Sequence, residues 1–242
     1  MNNPSHNQEG LDASPTGAPN PLVLADFLLH RIATLEEANS ALEDELERVE
    51  RLAYFDPLTG LENRNGLDRY IGNLGIRLSQ RVEDGECLED EFVGVVAIDA
   101  NRLKTTNDTL GHEAGDKLLE HLSDVLIGIT RHDSKQAFEE RRQLEENDSF
   151  PDGVFRLGGD EFLLVLYGLK KANLPNLEEG LRELEFMKVR FEESDIDFSA
   201  SYDTRVVPCD EVVADSEVLL LAISEADKSM MKIKASQKRA DQ

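Results

Sequence analysis

Residues Phe92–Asp99 read FVGVVAID, an unbroken apolar, β-branched run that ends on a carboxylate. Such a run predicts a buried strand. The acid is what constrains the fold most. A carboxylate at the end of a buried strand is costly unless something pairs with it, and a metal ion is a common partner. A second acidic feature lies downstream. Val154–Leu157 and Glu161–Leu166 flank Gly158-Gly159, which predicts a hairpin whose turn offers Asp160 and Glu161. The glycines let the backbone turn and let a ligand approach closely. If the hairpin lies beside the Asp99 strand, three carboxylates converge. Hard oxygen ligands suit Mg²⁺, and two such ions can stabilise both oxygens of an in-line phosphoryl displacement. Taken alone, the turn reads better as a plain hairpin with acidic turn residues, since such glycine turns are common.

The remaining chain divides by composition. Residues 1–21 are rich in Asn, Pro, Ser and Gly and read as a disordered leader. Over 22–53, Leu28, Leu35, Leu42 and Val49 recur every seven residues, and Ile32, Asn39, Leu46 and Ala53 fill the other seam position. This a/d pattern predicts a coiled-coil dimerisation helix, with Asn39 placed to fix register. The competing reading is a single helix packed on its own domain. Residues 54–242 read as one α/β domain, with helix over Glu62–Gln80, an acidic loop over Arg81–Glu91, and helix over Glu113–Ile129. A charged stretch at 130–152 reads as an insertion, partly helical at Lys135–Glu145. Helix is expected over Leu177–Glu192, strand over Asp195–Tyr202, and a last helix over Ser216–Ser236.

Composition excludes several partners. Acidic residues number 50 and basic ones 26, a formal net charge of -24. That field repels phosphate backbones and anionic membrane surfaces, so neither nucleic acid nor a membrane is the expected partner. No stretch approaches the ~20 apolar residues of a membrane span. Cys87 and Cys209 make no CxxC spacing and no disulfide framework; they predict reduced, buried thiols in a cytoplasmic protein.

Four segments then align in order. Asp56-Pro57-Leu58-Thr59-Gly60-Leu61-Glu62-Asn63-Arg64 resembles a D-x-L-T-G-L-x-N-R motif. Asp99 through Asp116, DANRLKTTNDTLGHEAGD, is similar to D-x-D-x-F-K-x-x-N-D-x-x-G-H-x-x-G-D. Arg156-Leu157-Gly158-Gly159-Asp160-Glu161-Phe162 matches R-x-G-G-D-E-F. Ala226-Asp227 with Lys234 and Lys238 falls where A-D-x-x-x-Y-x-A-K-x-x-G-R is expected. Together they resemble the diguanylate cyclase (GGDEF) family. The resemblance implies an α+β fold like that of nucleotidyl cyclases and palm-type polymerases, a mostly antiparallel central sheet wrapped by helices. It also implies an enzyme that condenses two GTP into cyclic di-GMP and two pyrophosphates, with Mg²⁺ or Mn²⁺, at the interface of a homodimer.

Residue by residue, the resemblance implies Asp99 and Asp160 as metal ligands, assisted by the Ala100 carbonyl, with Glu161 beside the metal. Asn107 and Asp116 would contact the guanine edge, since a carboxylate accepts from both N1–H and N2–H. Lys234 and Lys238 would hold phosphates, with Lys104 nearby, and His112 would support the guanine loop. A packing role for His112 and a solvated helix end for the two C-terminal lysines are the plainer alternatives.

The pattern also departs from the family. Asn101, Arg102 and Leu103 replace the second Asp and the bulky pair after the metal Asp. Ser201-Tyr202-Asp203 replaces an S-I-G-V strand, Lys238 replaces an Arg, and the family's closing strand is expected to be missing. The inhibitory product site, R-x-x-D ahead of the turn, has Ser149 where Arg belongs, although Asp152 is present. These departures keep a rival open: a catalytically degenerate domain that binds GTP or cyclic di-GMP as a receptor or scaffold. An enzyme making a mixed or mononucleotide product is a further alternative.

Overall fold

The run around Val95 forms strand β1 (Glu91–Ala100). In this computed structural model, which describes residues 21–130 and 152–240, β1 pairs antiparallel on one side with β3 (Glu161–Lys170) and on the other with β6 (Ala200–Pro208). Strand β2 (Gly153–Gly158) extends the sheet beyond β3, giving the order β2-β3-β1-β6. The leader, most of the 130–152 insertion with its expected helix, Ser149, and the Lys238 side chain lie outside the described residues.

Side chains alternate across the pleat, so each central strand feeds two cores. On one face Val96, Ile98, Phe162, Leu164 and Leu166 pack with Leu118, Leu122 and Leu126 of helix α4 (His112–Ile129). On the other, Val93, Val95, Leu163 and Val165 pack with Leu67, Tyr70, Leu74 and Leu78 of α2 (Arg64–Glu83) and with Leu219, Ala222, Ala226 and Met230 of α7 (Glu217–Ala240). Both faces being covered explains why FVGVVAID shows no polar alternation. Arg81, in the last turn of α2, ties the edges together. Its guanidinium donates to Glu91 Oε2 at 2.7 Å and to the Tyr167 hydroxyl at 2.8 Å, and so joins α2 to β1 and β3.

Several expectations are corrected. Leu177–Glu192 is not one helix. Helix α5 (Leu174–Leu181) passes through a 3-10 turn at Arg182–Glu185 into strand β4 (Met187–Phe191). There Met187 and Val189 point in while Lys188 and Arg190 point out, a period of two that the preceding leucines mask. Asp195–Tyr202 is likewise split. Strand β5 (Ser194–Phe198) pairs with β4 as a separate two-stranded sheet, and β6 begins at Ala200. Short helices α3 (Leu103–Leu110) and α6 (Cys209–Ala214) were not anticipated. Helix α2 runs on to Glu83, taking in the start of the expected loop. Of the two thiols, only Cys209 is buried, which pushes it up to about 12; Cys87 is exposed.

The chain divides into two compact units at Arg51/Leu52. The first is built on helix α1 (Pro21–Tyr54), whose Leu28, Ile32, Leu35, Leu42, Leu46 and Val49 are exposed. Ion pairs at helical spacing, Arg48–Glu45 and Arg51–Glu47, line the same helix, and Asn39 donates to Glu43 one turn on. No helix among the described residues is long and apolar enough to cross a membrane.

Phe155 is fully buried and meets the Tyr70 ring edge-on at 5.3 Å, whereas Phe186 is 90% exposed. Phe155→Ala is expected to cost about 3–5 kcal/mol of unfolding free energy, read as a lower urea midpoint at unchanged slope. Phe186→Ala is expected to stay within about 0.5 kcal/mol of the parent in the same titration.

Candidate active site

The site is built where β1 ends. Asp99 lies opposite Glu161 on one side and Ser201 on the other, and the Ala100 N–H donates to the Asp160 carbonyl at 2.9 Å. The turn between β2 and β3 therefore closes onto the end of β1. Gly158 and Gly159, with φ of 148° and 54°, take backbone angles that L side chains rarely adopt, which is what brings Asp160 round to face Asp99.

The Asp99 carboxylate is buried, with 3% of its side chain exposed. Lys234, on α7, reaches across and donates from Nζ to Asp99 Oδ1, and to Asp160 Oδ2 at 3.1 Å. Burial pushes the Asp99 carboxyl above its ordinary range; Lys234 pulls it down, and the neighbouring charges of Asp160 and Glu161 push it up. For Lys234, burial works downward, but its bonds to both carboxylates outweigh it and raise the ammonium. Two carboxylates that share one ammonium nitrogen are spaced to share a cation, so the pair fits a divalent ion. Among the described residues no three His, Cys, Asp or Glu side chains assemble a complete metal site. The fit is thus to an ion that keeps waters and ligand oxygens, as Mg²⁺ does.

The other expected site residues lie on the two helices after β1. Arg102, at a left-handed φ of 64°, turns the chain into α3. Lys104 is exposed on α3, and His112 and Asp116 are exposed on the first turns of α4. Asn107 is different. Its Oδ1 is buried with no hydrogen-bond partner among the described residues. It lies so close to Gly115 that an added Cβ there would come within 1.9 Å of it. The orphaned acceptor therefore lies against the start of α4, where the next residue is the exposed Asp116.

A clamp connects this turn to the start of the domain. Asp56 Oδ1 accepts from the Thr59 N–H and hydroxyl at 2.9 and 2.8 Å, folding the D-P-L-T-G segment on itself. Asn63 caps α2 through Asn65 and Gly66 and donates back to the Ala53 carbonyl. Arg156 then joins the two motifs, donating from Nη1 to Asp56 at 2.8 Å and from Nη2 to the Gly159 carbonyl at 2.8 Å. Sequence reasoning assigned neither Asp56 nor Arg156 to the site, although both sit in motifs it singled out. A second cluster accommodates one departure. Asn101 donates to Ser199 Oγ at 3.0 Å and accepts from Ser201 Oγ at 3.0 Å, so the amide that replaces an Asp has both its donor and its acceptor satisfied. Asp152 is buried and accepts the Tyr167 N–H at 2.9 Å, which holds its carboxylate inside the hairpin.

Burial raises the Asp56 carboxyl, but the Thr59 and Arg156 hydrogen bonds outweigh it and leave it below its ordinary value. A depressed carboxyl contributes stability above its unfolded pKa, near 3.9, and loses it as pH falls through the folded value. Asp56→Asn is therefore expected to cost about 1–3 kcal/mol at neutral pH, the scale of a charge-assisted hydrogen bond. Denaturant titrations at stepped pH should show the gap to the parent closing below about pH 4.

Comparison with known proteins agrees with this arrangement. The family model described as "Diguanylate cyclase, GGDEF domain" matches residues 53–140, from the end of α1 through α4, and stops short of the Gly158–Phe162 turn. Diguanylate cyclase TpbB of Pseudomonas aeruginosa is 36% identical over 132 residues, 54% of this chain and 24% of the relative. Diguanylate cyclase DgcP of the same species is 31% identical over 161 residues, 66% of this chain and 19% of the relative. The chain thus spans a quarter or less of the length of these two relatives. The structure of the coiled coil and GGDEF domain of DgcB from Caulobacter crescentus, in complex with c-di-GMP, superposes with a TM-score of 0.60 at 20% identity. It covers 86% of this chain and 95% of that one, a likeness of fold. With its motifs gathered around the end of the central strand of one antiparallel sheet, the chain is similar over this stretch to the GGDEF-domain family of diguanylate cyclases.

Proposed function

We propose that this chain condenses two GTP into cyclic di-GMP and two pyrophosphates. The observation that carries the reading is the pair of carboxylates, Asp99 and Asp160, held on one cation at the end of a buried strand. Mg²⁺ or Mn²⁺ bound there would neutralise charge on the α-phosphate and favour ionisation of the attacking 3′-hydroxyl. Glu161, opposite Asp99, adds negative charge beside that ion. Asn107 and Asp116 receive the guanine edge, and the orphaned Asn107 acceptor supports this role. His112 steadies the same loop. Lys234, Lys238 and Lys104 supply point charges for the phosphates.

Each protomer presents one GTP, so the reaction requires a second copy with its site facing the first. Residues 22–53 are proposed as a parallel coiled coil that raises the local concentration of that second site, on the support of the apolar heptad positions along α1. Residues 54–242 are the catalytic domain of this reading. A binding-only domain remains the second reading, favoured by the altered Ser201-Tyr202-Asp203 segment; the intact Gly158–Phe162 turn and Asp99 weigh against it.

Incubation of the full chain with Mg²⁺ and mixed ATP and GTP, followed by mass spectrometry, is expected to yield cyclic di-GMP alone. Bound nucleotide without product would favour the second reading. Asp160→Asn should keep the fold by circular dichroism yet lower synthesis by roughly a thousandfold, the scale of losing a charge-stabilising ligand. Activity within about tenfold of the parent would remove Asp160 from the metal site.

Product inhibition is expected to be weak. Ser149 cannot make the bidentate contacts of an Arg, and the Asp152 carboxylate is committed to the Tyr167 N–H. Micromolar cyclic di-GMP acting noncompetitively with GTP would reveal a product site elsewhere.

A further inference from the structure

Resting on the reading of Asp99 and Asp160 as cation ligands, we propose that Lys234 is a built-in stand-in for the divalent ion. Its ammonium holds the two carboxylates in the metal-free protein and leaves for the nucleotide phosphates when the ion binds. The phosphate contact suggested by the sequence and the carboxylate contact in the structure are then two positions of one side chain.

The geometry supports the exchange. Asp99 is almost sealed at the end of β1, and a buried carboxylate without a counter-charge is strongly destabilising. Lys234 supplies that charge through both carboxylates at once. It does so from the open side: 33% of its side chain and 38% of that of Asp160 remain exposed, against 3% for Asp99. A flexible four-carbon stem can therefore swing out without unpacking the core. A divalent ion on the same oxygens would confront the ammonium with a doubly charged centre, and the nearest new anion is the nucleotide phosphate.

Two consequences follow. The ion must displace an internal cation, so its apparent affinity is reduced by the fraction of time the carboxylates are free. A phosphate that accepts the released ammonium relieves that competition, so metal and nucleotide bind with positive coupling. Lys234 thereby protects the site from collapse or misfolding when metal is absent and makes metal uptake respond to GTP.

The test uses the full chain and Mg²⁺ alone. Lysine acylation is followed by mass spectrometry, with the exposed Lys228 and Lys232 of the same helix as references, and metal binding is followed in parallel by Tm. Without metal, Lys234 should be acylated several-fold more slowly than the references. Millimolar Mg²⁺ should raise it to their level, and chelation should reverse the change. A Mg²⁺-induced rise in Tm with Lys234 still protected overturns the exchange while leaving the metal site standing. No rise in Tm overturns both. Lys234→Met, which keeps an apolar stem, should bind Mn²⁺ roughly tenfold more tightly than the parent in calorimetry, as removal of an internal competitor requires. Equal or weaker binding overturns the exchange.

Discussion

The fold is organised around one buried negative charge. Asp99 ends a strand that is apolar on both faces, so it cannot turn to solvent without pulling β1 out of register with β3 and β6. Charge burial of this kind is tolerated only with a partner in contact. Everything near it serves that condition. The Gly158-Gly159 turn brings Asp160 alongside, α7 crosses behind the sheet and delivers Lys234, and the Ala100 N–H fixes the turn by its bond to the Asp160 carbonyl. Two acids and one base in a confined volume form a site that selects cations, and whatever cation occupies it governs what the neighbouring groups can do.

The turn is also held from outside the charged cluster. Arg156 spans from the Gly159 carbonyl to Asp56, and the segment around Asp56 and Asn63 is bonded to the carbonyl of Ala53. The end of α1, the cap of α2 and the acidic turn are thus one hydrogen-bonded chain of contacts. A guanidinium is suited to this link, because its planar fork engages a carboxylate and a carbonyl at fixed angles, which a lysine cannot. The departures around Asn101 follow the same logic. Replacing a carboxylate by an amide removes one charge from an acid-rich site, and Ser199 and Ser201 satisfy the donor and acceptor that the amide introduces.

Local pattern made much of this legible. The β1 run, the hairpin around Gly158-Gly159, α4 and the heptads of α1 are each set by short-range periodicity or by glycine chemistry, which require no knowledge of the rest of the chain. The region from Leu174 to Tyr202 was legible only in part: the helix start and the strand character near Asp195 were, but β4 and the break before β6 were not, because two five-residue strands there follow a leucine-rich helix. Their alternation is too short to stand out, and what makes them strands is their pairing with each other. Helix α3 escaped for a similar reason. Eight residues with little intrinsic helix preference hold because Leu103 and Asn107 pack on α4, not through propensity.

The sequence by itself determined which residues are candidates for chemistry. It determined the carboxylates, the amide and the lysines, their order and their spacing, since those are properties of residue type and local backbone. It also determined that one strand is buried and that the acid at its end needs a counter-charge. Only the tertiary structure decided which base answers which acid. Lys234 is 135 residues from Asp99 and 74 from Asp160, and Arg156 is 100 from Asp56. Spacings of that length carry no periodic signal. Such pairings exist only once strand register and helix crossing bring distant side chains within hydrogen-bond reach, where the low dielectric makes each charge depend on its neighbour.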